Sequence, residues 1–262
     1  DNSQPDNSQP DDKVPLPPVT TDTAGANLFL RHSLQGDRTS LKKVADFLQA
    51  PAEIEGTTGD AIILKQKFFQ RVFGDASNVP DNTLTLAGNK LDINGLTLAY
   101  KGEKLFYQEF PEVNVLHYYG RLGTDIFSVV HTHGTLAHPK AIHDLKTDSA
   151  GHVTYQGPTS FRSHDAGDIN EALERGEATI VLRHHERKLD ATIKLPTRLD
   201  KTYQFHDISY AGEVEPHQNH FAQDGAGQGI RGYFYGNRAQ YIGGAYYVPE
   251  GGGAFITKNV SK

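Results

Sequence analysis

The stretch from Gly227 to Val248, GQGIRGYFYGNRAQYIGGAYYV, constrains the fold more than any other part of the chain. Gly227, Gly229 and Gly232 have the G-x-G-x-x-G spacing of a dinucleotide-binding turn, but that turn follows a strand and opens a helix whose N-terminus holds the pyrophosphate. Neither is present, and too few residues remain before Lys262 for a βαβ unit. The side chains after Gly229 instead alternate with period two. Ile230, Gly232, Phe234 and Gly236 share one face of an extended segment, and Arg231, Tyr233 and Tyr235 share the other. After a turn at Gly236-Asn237-Arg238 the alternation resumes, with Gln240, Ile242, Gly244 and Tyr246 on one face and Tyr241, Gly243, Ala245 and Tyr247 on the opposite one. The two runs read as a β-hairpin. Glycine weakens a strand unless the backbone bends or packs closely, so glycines in both arms point to strong curvature. A small closed barrel meets that need, because Gly beside Phe or Ile lets large side chains fill a tapering interior.

Gly232, Phe234, Tyr235, Gly236, Ala239, Gly243 and Gly244 match the pattern G-x-F-Y-G-x-x-A-x-x-x-G-G-x-F, with Tyr246 in place of the final Phe. On these residues the hairpin resembles the closing hairpin of the C-terminal eight-stranded barrel of transferrin-binding protein B and related surface lipoproteins. In length, linker and barrel the chain is also similar to the NilC-like host-association lipoproteins of nematode-symbiotic bacteria and, more distantly, to the haemophilins. The resemblance implies a mainly β protein of a Gram-negative bacterium with a C-terminal eight-stranded antiparallel barrel. It implies a non-enzymatic surface protein that is lipid-anchored in the outer membrane, exported by a dedicated Slam-type translocon, and engaged in host association and colonisation.

Composition narrows the function classes. The formal net charge of −6 gives no electrostatic footprint for nucleic acid or an anionic membrane, and no apolar run approaches the length of a membrane-spanning helix. The absence of cysteine removes disulfides, thiolate nucleophiles, zinc–thiolate sites and iron–sulfur clusters together. The first residues, DNSQPDNSQPDDKVPLPP, repeat DNSQP and hold nothing apolar before Val14. Such a segment cannot build a core, and residues 1–24 read as a disordered, proline-stiffened tether. That beginning fits a mature lipoprotein whose acylated cysteine precedes Asp1.

Residues 25–155 read as an N-terminal α+β handle-like domain of small sheet and short helices, and residues 156–262 as the barrel. Within the first, TSLKKVADFLQA from Thr39 places Leu41, Val44, Ala45 and Leu48 on one helical face and stops before Pro51. AIILKQKFFQRV, from Ala61, is ambiguous between strand and helix. From Thr83, TLTLAGNKLDINGLTLAYKG reads as short strands with turns at Gly88-Asn89 and Asn94-Gly95. Beyond residue 155, Asp168 caps a predicted helix INEALER that Gly176 ends. EATIVLR, LDATIKL and YQFHDISY then read as closely spaced antiparallel strands.

Thirteen histidines are the compositional excess that bears on chemistry. The densest group is His131, His133, His138 and His143. On a strand, His131 and His133 point to one face, within reach of one metal ion or as axial ligands of a haem. No carboxylate partner or H-E-x-x-H accompanies them, so no metal site is expected, and the plainer reading is that these imidazoles cap turns, bond backbone carbonyls or sit in solvent. His117, among apolar and aromatic neighbours in VLHYYG, is either a haem ligand or a hydrogen-bonded core histidine. His184 and His185 flank a turn, one inward and one outward, and His217 and His220 lie in a polar loop. Aromatic side chains cluster from Lys104 to Tyr119, and Tyr107 and Tyr119 are read there as exposed contacts for a partner. The candidate ligand-binding residues are thus His117, His131, His133, Tyr107 and Tyr119, for a host protein or small ligand, with haem as the alternative. Gly232, Phe234, Gly236, Gly243 and Gly244 are candidates for barrel structure. No catalytic motif is found, neither G-x-S-x-G nor a P-loop.

Overall fold

The computed structural model describes residues 22–32, 54–58, 61–64, 85–93, 96–122, 125–166, 172–210, 219–225 and 227–261, with the backbone alone for residues 54–101, 122 and 125. The described chain is mainly β and forms two antiparallel sheets. The first runs in the order β2-β3-β1-β7-β6-β5-β4. It is made of β1 (Thr23–Arg31), β2 (Ile54–Thr58), β3 (Ala61–Leu64), β4 (Thr85–Ile93), β5 (Leu96–Leu105), β6 (Val113–Leu122) and β7 (Asp125–Thr135). One helical turn, α1 (Pro139–His143), follows, with the His138 side chain accepting a hydrogen bond from the Lys140 amide as its N-cap.

The second sheet is the barrel. Its strands are β8 (His152–Ser163), β9 (Glu174–Arg183), β10 (Lys188–Lys194), β11 (Thr202–Ser209), β12 (His220–Asp224), β13 (Gly229–Tyr235), β14 (Tyr241–Val248) and β15 (Gly251–Asn259). They run in the order β11-β10-β9-β8-β15-β14-β13-β12. The sheet curls until its two edge strands lie side by side. Gln223 Nε2 donates to the His206 carbonyl at 3.0 Å and Gln228 Nε2 to the Gln204 carbonyl at 3.1 Å. Side chains thus bridge the seam where strand pairing stops. Opposite Asp190, β11 carries an extra residue. Asp207 there has φ +56°, and the Asp190 carboxylate accepts from its amide at 3.0 Å, pinning a bulge that bends the strand toward closure.

The alternation read from the hairpin sets its packing. Gly232 lies opposite Gly244, Phe234 opposite Ile242 and Ile230 opposite Tyr246. These side chains point into the barrel with Tyr155, Phe161, Ile180, Leu182, Phe205 and Phe221. The outward row does not meet water. Tyr235, Tyr241, Ala245 and Tyr247, with Ala254 and Ile256 of β15, pack against Ala26, Leu28, Leu30, Val113, Val115 and Val130 of the first sheet. Every residue of β14 is therefore buried. Glycine is required where the two arms meet: a Cβ on Gly244 would lie 1.7 Å from the Arg231 carbonyl oxygen, and one on Gly232 would lie 2.5 Å from the Phe221 ring.

Four expectations fare differently. The predicted helix INEALER does not persist to Gly176, because Glu174 and Arg175 already pair in β9 with Phe161 and Ser160. Gly176 is no helix stop. It lies within β9, where a Cβ would meet the Lys194 carbonyl at 2.4 Å. Ile93 of β4 pairs with Leu96 of β5, and the predicted turn at Asn94-Gly95 lies outside the described residues, whereas Gly88-Asn89 is no turn but the site of a register shift inside β4. The expected N-terminal sheet is present, with seven strands among the described residues, and the predicted helix from Thr39 lies outside them.

Candidate functional site

β6 and β7 distribute the candidate histidines between the two faces of the first sheet. His117 follows Val113 and Val115 on the face turned to the barrel, and Ser128 of β7 shares that face with Val130. His131 and His133 fall on the opposite face. They stand one above the other, rings stacked at 5.5 Å between centroids, and His131 Nδ1 is hydrogen-bonded to Asn27 Oδ1 across β1. The pair is brought together as the period-two reading expects, but away from His117. Both are buried, and burial first, then the neighbouring His133, holds His131 well below the ordinary imidazole range. His138 caps α1, and His143 is exposed beside Asp144. The four-histidine run of the sequence is thus no single cluster. Among the described residues no group of three or more His, Asp or Glu side chains is placed to hold a metal.

His117 stands in the joint between the sheets. Its Nδ1 is 2.9 Å from Ser160 Oγ of β8 and its Nε2 is 2.8 Å from Ser128 Oγ. Ser128 Oγ in turn lies 2.5 Å from His32 Nε2, and His32 Nδ1 lies 3.0 Å from His164 Nδ1 just past β8. Ser160 Oγ also accepts from the Ala254 amide at 2.9 Å. His32, His117 and Ser128 are completely buried and Ser160 nearly so. Burial, then the Arg162 guanidinium, pushes His117 down to about 3, and burial, then His164, His117 and Arg162, holds His32 well below its ordinary range. Both nitrogens of His117 are engaged, so an iron could bind there only by displacing a serine. The arrangement is that of a hydrogen-bonded core histidine.

Tyr119, two residues on, lies against the barrel and is 2% exposed, which corrects its reading as an exposed contact. Arg162 of β8 sits over its ring at 4.6 Å, and its hydroxyl donates to Glu103 at 3.1 Å. Burial, then Glu103, pushes the phenol up to about 12. Tyr107, by contrast, is half-buried in the turn between β5 and β6. That turn is strained: Phe106 has φ +56°, a left-handed conformation that a bulky residue rarely adopts. Arg175 of β9 holds it, lying 5.3 Å over the Phe106 ring and 3.5 Å from Glu109, while Phe110 packs edge-on against Tyr241. Gln108, Glu109, Pro111 and Glu112 around Tyr107 are exposed.

His184 is buried, with Nδ1 3.0 Å from the Tyr210 hydroxyl and Nε2 donating to the His143 carbonyl at 2.9 Å, while His185 is exposed. His220 lies against Tyr233 in β12, and His217 is outside the described residues. Ser128, Ser160, Arg162, His32 and His164 escaped the sequence reading. The signal was faint: once Phe161 faces the barrel interior, Ser160, Arg162 and His164 must share the outer face, but polar residues on an outer face ordinarily meet water.

No protein-family model matches the chain, and no curated protein matches it. Among solved structures it is similar to the haemoglobin receptor HpuA from Kingella denitrificans, at 12% identity and a TM-score of 0.43 over 70% of this chain and 69% of that one. It is also similar to a transferrin-binding protein B mutant from Actinobacillus pleuropneumoniae H49, at 10% identity and a TM-score of 0.45 over 91% of this chain and 100% of that one. A third likeness is to a transferrin-binding protein B double mutant from Haemophilus parasuis Hp5, at 13% identity and a TM-score of 0.36 over 69% of this chain. The matched part spans 38% of the length of that protein. With TM-scores below 0.5 these superpositions are partial, and no residue-by-residue correspondence follows from them.

Proposed function

We propose that this chain is a non-enzymatic binding protein of a Gram-negative cell surface, lipid-anchored in the outer membrane and exported by a dedicated translocon. Its role is host association and colonisation, as in the mutualism of a bacterium with its nematode, through a host protein or small environmental ligand. The observation that carries the reading is the hairpin. The residues matching the surface-lipoprotein pattern take up the geometry the pattern calls for, with Gly232 opposite Gly244, Phe234 inside the barrel and Gly236 at φ +90° in the turn. His117, Ser128, Ser160 and His32 in the joint are hydrogen-bonded to one another, and the strained turn around Tyr107 is a described feature that offers an aromatic side chain and exposed charges together. The barrel and the joint serve as a rigid base for it.

Capture from host-tissue extract on immobilised full-length protein tests the proposal. A retained component is expected, with retention reduced at least about fivefold in Tyr107→Ala at an unchanged thermal midpoint, since an aromatic side chain enclosed at the centre of an interface contributes about 1 kcal/mol or more. Binding indifferent to Tyr107 would move the site elsewhere. Titration with haemin separates the alternative: a saturable Soret shift lost in His117→Ala or His131→Ala would make this a haem-binding protein instead.

A further inference from the structure

The barrel wall is not laddered all the way round. At the two ends of β12, Asn219 accepts from the Phe234 amide and the Gly225 amide donates to the Gln228 carbonyl, so residues of this parity spend their backbone groups on β13. Ala222 and Asp224, at the other parity, turn theirs toward β11. β11 answers from its side, since the carbonyls of Gln204 and His206 point to β12. Two such rows ordinarily form a ladder, yet among the described residues no backbone hydrogen bond joins β11 to β12. Side-chain amides take that place: Gln223 donates to the His206 carbonyl, and Gln228, from the turn after β12, donates to that of Gln204. Thr202, Gln204, His206, Ala222 and Asp224 along this line are exposed, while Phe205 and Phe221 behind it are buried.

We propose that this seam is a gate in the barrel wall: β11, hinged on its ladder with β10, swings away from β12 and opens the interior at one mouth, with Gln223, Gln228 and Glu250 as its clasps. The β12 side is fixed, because the Tyr247 hydroxyl of β14 donates to the Gly225 carbonyl at 3.1 Å and anchors the turn that carries Gln228. The far end of β11 is fixed as well. There the Asp207 amide is bonded to Asp190 and its carboxylate to Arg183, and the Tyr210 amide donates to the Arg187 carbonyl. The near end is held differently, by Lys201 and Tyr203, which reach past β12 and β13 to the Glu250 carboxylate in the turn between β14 and β15. Lys201 is 55% exposed in this tie. A neutral side-chain hydrogen bond shifts an equilibrium by only about 2- to 12-fold, and an exposed ion pair by about 5-fold or less. Such clasps hold less firmly than the continuous ladder that joins β13 to β14 from Gly229 to Tyr235, so the wall parts first at the seam. Burial of Phe205 and Phe221 keeps the closed state dominant.

The chain holds no cysteine, so a single introduced thiol reports on its own site. Ala191 faces the interior opposite Phe205, and Ala141 faces it from α1, at the other mouth, where the His143 carbonyl accepts from His184. Iodoacetamide labelling of Ala191→Cys in the full chain is expected to proceed through an opening at least about tenfold more populated than global unfolding of the same variant, measured in urea. Gln223→Met combined with Gln228→Met keeps the length of both side chains and removes both donors. It is expected to raise the labelling rate of Ala191→Cys at least about fivefold beyond any change in global stability, while labelling of Ala141→Cys stays in step with global unfolding. Labelling of Ala191→Cys only at the population of global unfolding overturns the proposal without recourse to the glutamine variants. An equal acceleration at both thiols, or no acceleration at Ala191→Cys, overturns it as well.

Discussion

At the scale of single residues, the glycines of the hairpin do what side chains cannot. Gly244 is the sharpest case, because the obstacle is backbone: a Cβ would stand 1.7 Å from the Arg231 carbonyl oxygen and 2.7 Å from Gly232 Cα. No rotamer change relieves that contact, and β14 cannot retreat, since its other face is covered by the first sheet. Gly244→Ala is therefore expected to cost at least about 3 kcal/mol, more than ordinary overpacking, measured as the shift of the urea midpoint multiplied by the slope of the transition. An alanine variant as stable as the parent would mean that the two arms do not approach as described. The need for glycine at this site was legible in the sequence, because glycine repeated at one parity of two alternating runs marks a place where backbones bend or pass closely. Tyr119 was legible as important but not as buried. An aromatic run such as VLHYYG looks the same whether it faces a partner or a second sheet of the same chain.

At the scale of elements, period-two patterning carried the hairpin and its register, and it failed where a helical pattern competed. INEALER has a cap, an i to i+4 apolar pair and a following glycine, yet Glu174 and Arg175 are drawn into β9 by pairing with β8. Tertiary contacts of Arg175 with Phe106 and Glu109 and the close pass of Gly176 under the Lys194 carbonyl outweigh a local preference worth only a few tenths of a kcal/mol per residue. The contact of the first sheet with β14 was invisible for a different reason, since the outer row of a barrel strand is expected to be wet. One polar bond ties these elements together: Thr132 Oγ1 of β7 donates to the Gly244 carbonyl of β14 at 2.8 Å, both fully enclosed. Thr132→Val keeps the shape and removes the donor. It is expected to lower stability by about 1 kcal/mol, read from chemical denaturation, and to loosen the sheet–barrel contact while barrel amides remain protected. A loss near zero would mean that this bond adds nothing to the joint.

At the scale of the whole molecule, the buried histidines set the pH range in which the two sheets remain one body. His117, His32 and His131 are enclosed and held neutral, mainly by burial. The sign follows from which state binds protons. Above about pH 6.5 these imidazoles are neutral both folded and unfolded, so they contribute no pH dependence. Below it the unfolded chain takes up protons that the folded chain refuses, and stability falls with pH until the folded groups titrate, for His117 at about 3. At pH 5 the loss from His117 alone is about 2 kcal/mol, and His32 and His131 act in the same direction. Against a total stability of order 5–15 kcal/mol, this is a large fraction. Urea midpoints are therefore expected to be level from pH 8 to 7 and to fall steeply from 6.5 to 5, above the range in which most carboxylates titrate. His117→Asn should be less stable than the parent at pH 7, where it loses a hydrogen bond, and should show a shallower decline toward pH 5, since one proton-binding group has left the unfolded state. A midpoint constant between pH 7 and 5 would show that these rings are charged or solvated in the folded protein, and the enclosed joint described above would have to be redrawn.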